Sequence, residues 1–209
     1  MKVFIYIAFY LFFSLIQYVS ITTIIDAVIM GVLRPRFSLT CHKKEYLIKK
    51  ENRMDFQSGN ACAAYSAAFI LRHWNIDKDA EGLYASMTGK RSDGTVSPKG
   101  LQKLLSLNGL TVKYCTGNIN ALKNEISRGN PTIVLVRTQT AKNNLHYLPV
   151  VGYDENNLFV AESLKDYVNC PQPYCNRKIP TEEFKKLWNT SMAKMPLYKN
   201  TFLSVDKQE

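Results

Sequence analysis

The chain has 209 residues, with 27 Lys and Arg against 17 Asp and Glu, a formal charge of +10 and a pI near 9.3. Setting aside an apolar N-terminal stretch leaves about 155 to 175 residues, the size of one domain with one core. The basic residues are scattered and lack a tight cluster interleaved with aromatics, so nucleic acid is not an expected partner.

Residues Val3 to Ile25 run apolar for 23 positions, Asp26 interrupts, and Ala27 to Leu33 resume before Arg34-Pro35-Arg36. About 20 apolar residues cross a bilayer, so residues 1–36 are expected to form an N-terminal transmembrane anchor. A cleavable signal peptide is the competing reading, but the run is long for an h-region and no small-x-small pattern follows it. Residues 37–54 read as a basic juxtamembrane linker whose lysines and arginines are drawn to anionic lipid headgroups. Lys2 stands on one side of the span, against Arg34, Arg36, Lys43, Lys44, Lys49, Lys50 and Arg53 on the other. The positive-inside rule then places the soluble domain, residues 55–209, in the cytoplasm of a single-pass protein. The five cysteines argue weakly against this, because Cys170 and Cys175 bracket a short loop in which a disulfide is possible.

Within the domain, positions 61 to 76 are apolar nearly all round, the pattern of a buried helix. Asn60 is the expected N-cap, which puts Cys62 in the first turn at the positive end of the helix dipole. Asp79 to Met87 reads as a short helix. Ser97-Pro98 starts another, with proline at the first helical position, that Asn108-Gly109 ends after Leu107. Thr111 to Thr116 is an expected strand, Ile119 to Ser127 a helix and Thr132 to Thr138 a buried β-branched strand. Tyr147 to Tyr153 and Leu158 to Ala161 make a hairpin around Asp154 to Asn157. Thr181 opens a helix with a capping box, and Tyr198 to Val205 is the last strand. Helices first and strands afterwards give an α+β fold, a helical half packed on an antiparallel sheet.

A cysteine in an apolar helix is most often a small core residue. Here it stands at the helix mouth, where a thiolate is favoured, and Gln57 lies five residues upstream with an amide able to donate to an oxyanion. Of the three histidines, His73 lies eleven residues along the same helix, roughly 16 Å from Cys62 at 1.5 Å per residue, and cannot reach the thiol. His42 falls outside the expected domain, which leaves His146 as the base. Asp154 lies eight residues from His146 along an extended strand and is too distant to orient it. Glu162 on the return strand shares a face with His146 if Leu148 stands opposite Glu162. A three-residue loop or one bulge in the Asp154 to Asn157 turn would give that register. Ser163, Asp166 and Asn169 are the reserves, and a solvated Glu162 at the strand end is the plain alternative.

Gln57 with Cys62, and His146-Tyr-Leu-Pro-Val-Val-Gly-Tyr-Asp154 followed by Leu-Phe-Val-Ala-Glu162-Ser163, resemble the bacteriocin-processing (double-glycine leader) peptidases, family 39 of the cysteine peptidases, over about residues 55 to 205. That resemblance implies a papain-like fold, with Cys62 as nucleophile, His146 as general base and then acid, Gln57 in the oxyanion hole and Glu162 orienting the histidine. The chain departs from the family in three places. Cys62 is followed by Ala63-Ala64-Tyr65 instead of Gly-Pro-Ala, the glutamine is five residues before the cysteine instead of six, and the orienting residue is glutamate instead of aspartate.

The expected function is therefore a membrane-anchored thiol peptidase acting through a Cys acyl-enzyme. Its expected partners are a peptide or protein substrate and, through the N-terminal helix, membrane lipid. No cofactor is expected, and no metal, since Cys170 and Cys175 lack a second ligand pair at usable spacing. A papain-like acyltransferase and a catalytically degenerate peptide-binding module at the membrane are the alternatives.

Overall fold

The computed structural model describes residues 2–141, 144–192 and 195–207. The first residue of the expected anchor and the last two of the expected domain lie outside these.

Helix α1 (Lys2–Ile29) contains a 27-residue stretch, Val3–Ile29, with mean hydropathy 1.9 and its apolar side chains turned outward, long and apolar enough to cross a membrane. Three of its hydroxyls are satisfied within the helix: Ser20 donates to the Ile16 carbonyl, and Thr22 and Thr23 to carbonyls one turn back. Any polar group in hydrocarbon needs such an internal partner. The end of α1 is fastened to the domain. Lys99 Nζ donates to the Val28 carbonyl at 3.0 Å, Tyr198 Oη to the Gly31 carbonyl at 2.9 Å, and Met30 is buried in the core.

Strand β1 (Arg34–Arg36) pairs in parallel with β3 (Leu110–Gly117), and β2 (Tyr46–Leu47) pairs antiparallel with the far end of β5 (Leu145–Tyr153). The segment read as a linker thus lends a strand to the sheet, and Asn52 of the same segment binds the Phe69 carbonyl and Arg72.

The sheet runs β1-β3-β8-β4-β5-β6-β7, with β4 (Thr132–Arg137), β6 (Asn157–Val160), β7 (Arg177–Pro180) and β8 (Thr201–Lys207). All pairings except β1 with β3 are antiparallel. Helices α2 (Cys62–His73), α3 (Ala80–Ser86) and α4 (Pro98–Leu107) close one core with Ile133, Tyr147, Val151 and Leu203. Helices α5 (Ile119–Ile126) and α6 (Thr181–Trp188) close a second core with Val134, Leu148, Val150 and Phe202. Helices therefore cover both faces of the sheet, so the strands of its centre are buried throughout, and β5 is apolar at nearly every position for that reason.

Local signals hold closely in α3 and α4. Asp79 accepts from the Gly82 N–H, Ser97 from the Gly100 N–H, and Pro98 occupies the first turn. Two cap assignments are corrected. Ala61, not Asn60, is the N-cap of α2 and makes no side-chain cap bond, because the Asn60 amide is drawn to the Asp93 carbonyl at 2.7 Å. Pro180, not Thr181, caps α6, and the Thr181 hydroxyl is buried without a partner among the described residues.

Candidate active site

Nine consecutive residues of α2, Ala63 to Leu71, are buried, so the helix runs through the core with its first turn at the boundary. That leaves Cys62 half-buried at the start of the helix, against the edge of β5. Ser66 Oγ donates to the Tyr147 carbonyl at 3.1 Å, which pins the helix one residue from His146. The Cys62 N–H, first of the helix, has no partner among the described residues, as helix geometry dictates when no side chain caps it.

β5 supplies the histidine, and the carboxylate stands two residues past the end of β6. Near the turn, Tyr153 pairs with Leu158 and Gly152 with Phe159; beyond Val151 the register shifts so that Val150 pairs with Val160 and the Ala161 N–H reaches the Pro149 carbonyl. Continued one step, that register sets Leu148 opposite Glu162. The bulge lies within β5 at Val151 instead of in the turn, because Asp154 closes the turn tightly by accepting from the N–H groups of Asn156 and Asn157. The consequence is that His146 Nε2 and Glu162 Oε1 meet at 2.8 Å with both side chains buried.

Glu162 is held from three sides. Its Oε1 also accepts from the Leu164 N–H at 2.8 Å, and its Oε2 from Arg177 Nη1 at 2.8 Å. The Asn176 side chain grips its backbone, with Oδ1 accepting from the Glu162 N–H at 2.6 Å and Nδ2 donating to the Glu162 carbonyl at 2.8 Å. Asn176 and Arg177, both buried, are the residues that sequence reasoning missed. The signal available was slight: a basic residue at a position of β7 whose neighbours at alternate spacing face inward.

Burial pushes the Cys62 thiol up, but the hydrogen bond and positive charge of His146, helped by the Tyr147 and Ala63 N–H groups, bring it below its ordinary value. Burial likewise works against protonated His146, yet its bonds to Cys62 and Glu162 raise it to about 9. The Glu162 carboxyl is opposed by burial and held below the usual carboxylate range by His146, the Leu164 N–H and Arg177. Each shift runs toward the charged form, thiolate for Cys62, imidazolium for His146 and carboxylate for Glu162.

Gln57 is placed differently. Its Nε2 donates to the Gly59 carbonyl at 2.7 Å, its Oε1 accepts from Ser163 Oγ at 2.7 Å, and its N–H reaches the Ser163 carbonyl at 2.9 Å. One hydrogen of the amide is therefore taken up inside its own turn, and the second is available. Among the reserves, Ser163 orders Gln57, exposed Asp166 lies in a single 3-10 turn (Lys165–Tyr167), and Asn169 binds the Lys178 backbone through Oδ1 and Nδ2. His73 ends α2 against Trp74, and its imidazole is lowered to about 4 by burial and Lys50. His42 sits exposed, its backbone N–H on the Asn124 side chain.

A thiol at the start of a buried helix, laid against a central antiparallel strand that carries the histidine, is the papain-like arrangement. The Peptidase_C39 like family model matches residues 46–194, and the chain belongs to that family. The match begins at β2, inside the stretch read as a linker. The fold is similar to that of the peptidase domain of Streptococcus ComA, a bi-functional ABC transporter involved in a quorum-sensing pathway. That similarity has a TM-score of 0.58 at 14% identity, covering 76% of this chain and 100% of that one. A double-glycine motif protease from an AMS/PCAT transporter, solved in complex with the leader peptide, gives 0.56 at 18% identity over 79% and 100%. Xylellain, a cysteine protease from Xylella fastidiosa, gives 0.53 at 13% identity over 83% and 92%. No curated relative matches the chain.

Proposed function

We propose that this protein is a membrane-tethered cysteine peptidase that cleaves a peptide bond through an acyl-enzyme on Cys62. The observation that carries the reading is the buried 2.8 Å contact of His146 with Glu162, on the strand against which the Cys62 helix is pinned. With Nε2 held by Glu162, Nδ1 is the ring nitrogen left for the thiol. In the reaction the Cys62 thiolate attacks the scissile carbonyl carbon. The developing oxyanion takes the Cys62 N–H and the second Gln57 amide hydrogen. The His146 imidazolium gives its proton to the departing amine, leaving a thioester. His146 then takes a proton from water, whose oxygen displaces the Cys62 sulfur and releases the acid. Glu162 keeps the ring oriented and stabilises the imidazolium without itself being protonated.

The substrate class we assign is a peptide, in keeping with the leader peptide held by the double-glycine motif protease. Residues Val3–Ile29 serve as the single membrane span, and the excess of Lys and Arg after it puts the peptidase domain on the cytoplasmic side. A reporter fused beyond Arg36 should be protected from reagents outside the cell; free access would reverse the topology. For the chemistry, a thiol-directed peptidyl probe should label the full chain, and Cys62→Ala should abolish labelling. Labelling that survives the substitution sinks the assignment. Adding an amine acceptor and analysing products separates hydrolysis from acyl transfer.

A second reading, a peptide-binding module without turnover, is favoured by the Gln57 amide donating to Gly59. It requires that Cys62 be alkylated only at the pH of an ordinary thiol, near 8.5, whereas the catalytic reading requires reaction well below it.

A further inference from the structure

Arg177 has no place in the chemistry above, yet it is buried, and a buried guanidinium is costly unless paired. Its Nη1 lies 2.8 Å from Glu162 Oε2, on the side of the carboxylate opposite His146, and the Tyr167 ring covers the guanidinium at 4.7 Å. Its neighbour Asn176 clamps both backbone polar groups of Glu162. The first residue of β7 and the one just before it are thus both spent on one glutamate. A glutamate has three side-chain torsions to fix, and holding one oxygen on an imidazole leaves the other free to swing. If only stability were at stake, an apolar pair of the same volume would serve this position as well or better.

We propose that Arg177 is a positioning residue of the reaction: it holds Glu162 so that Oε1 stays on His146 Nε2 and the imidazolium stays paired with Cys62. The inference rests on the cysteine-peptidase reading. The charged groups facing Glu162 are His146 from β5, Arg177 from β7 and, across a narrow cleft, Arg53, Asp55 and Arg72. The last three are engaged with one another, Arg53 to Asp55 at 2.9 Å and Arg72 to Asp55 at 3.2 Å, so they do not replace Arg177. Without Arg177, desolvation acts on Glu162 with one cation fewer to oppose it. Its carboxyl then titrates at higher pH, and the thiolate–imidazolium pair is lost earlier on acidification.

The test uses the full chain in detergent, with the pH dependence of Cys62 alkylation by iodoacetamide and the kinetics of peptide cleavage as separate readouts. Arg177→Met should lower kcat about 100-fold with KM changed less than about threefold, and should move the acid limb of Cys62 alkylation up by about one pH unit. Arg177→Lys, the milder variant if Arg177→Met folds poorly, should fall between, because an ammonium keeps the charge and loses the planar fork. If the folded variants alkylate with the parent's profile and turn over at the parent's rate, Arg177 is only a structural residue and the inference is overturned. If the parent itself alkylates only near pH 8.5, the peptidase reading fails first, and this inference with it.

Discussion

The two sides of the candidate site are built differently. The side carrying His146 and Glu162 comes from β5 and the segment just past β6, is buried, and is fixed by Leu164, Asn176 and Arg177. The side carrying Gln57 is a half-exposed turn without regular structure, and its amide is partly committed to Gly59. His146, the base we propose, is thus preorganised by buried hydrogen bonds, whereas the proposed oxyanion side can adjust when a peptide arrives. Catalytic loss should therefore be steep on the strand side and shallow on the turn side.

The largest effect is expected at His146. His146→Ala should reduce turnover about 10³- to 10⁴-fold and return the Cys62 thiol toward its ordinary range, measured by cleavage rate and by alkylation against pH. The pH dependence of the parent follows from the same pair. The folded His146 pKa is raised from 6.5 to about 9. The stability this protonation contributes is therefore complete below about pH 6.5 and lost as pH rises through about 9. Activity should hold to about that pH and fall above it, as the imidazolium that protonates the leaving amine disappears. A decline centred near pH 6.5 would show His146 unpaired.

Next comes Glu162. An amide at this position holds the ring without stabilising the imidazolium, so Glu162→Gln should slow acylation about 10²-fold or more. It also strips Arg177 of its anion, and breaking a buried pair from one side costs about 3–5 kcal/mol, so the melting temperature should fall as well. Glu162→Asp keeps the charge but is one methylene short of spanning His146 and Arg177, and substantial activity on a less stable fold is the expected outcome. Parent activity and stability in both variants would make Glu162 a bystander and dissolve the contrast between the two sides.

How far these residues were legible depends on whether their signal is local. The buried pattern of α2 and the Asp154 to Asn157 turn of the hairpin lie in contiguous residues, and they mark out Cys62, His146 and Glu162 as the residues to bring together. The same-face condition for His146 and Glu162 needs one extra residue somewhere in the hairpin, but only the three-dimensional pairing shows it to be Val151. Asn176 and Arg177 carry no such signal. They reach Glu162 because β7 pairs with β6 after an irregular excursion, and Arg177 stands opposite Val160. Asn60 fails as a cap for a similar reason, since its partner carbonyl, that of Asp93, lies in another loop.

On the turn side the effects should be smaller. Gln57→Ala removes an oxyanion donor, whose loss elsewhere costs about 10²- to 10³-fold in kcat when the donor is fixed in place. Here the amide must leave Gly59 or offer its second hydrogen, and the Cys62 N–H remains, so a loss of about tenfold in kcat is expected. A loss as large as that of Glu162→Gln would mean that the turn is as preorganised as the strands.

The smallest effect is expected at Asn60, and it tests why the first turn of α2 is left open. A side-chain cap would satisfy an N–H at the helix start and cost about 1 kcal/mol on removal, but the Asn60 amide binds the Asp93 carbonyl and caps nothing. Asn60→Ala should therefore cost only one exposed hydrogen bond, at most about 0.5–1 kcal/mol, and leave both kcat and the alkylation profile of Cys62 within about twofold of the parent. Because Asn60 caps nothing, the variant should leave the Cys62 N–H, which we assign to the oxyanion, as open as it is in the parent. A large fall in kcat with an unchanged melting temperature would place Asn60 among the groups that touch the oxyanion, and the turn side would hold two adjustable donors where we assign one.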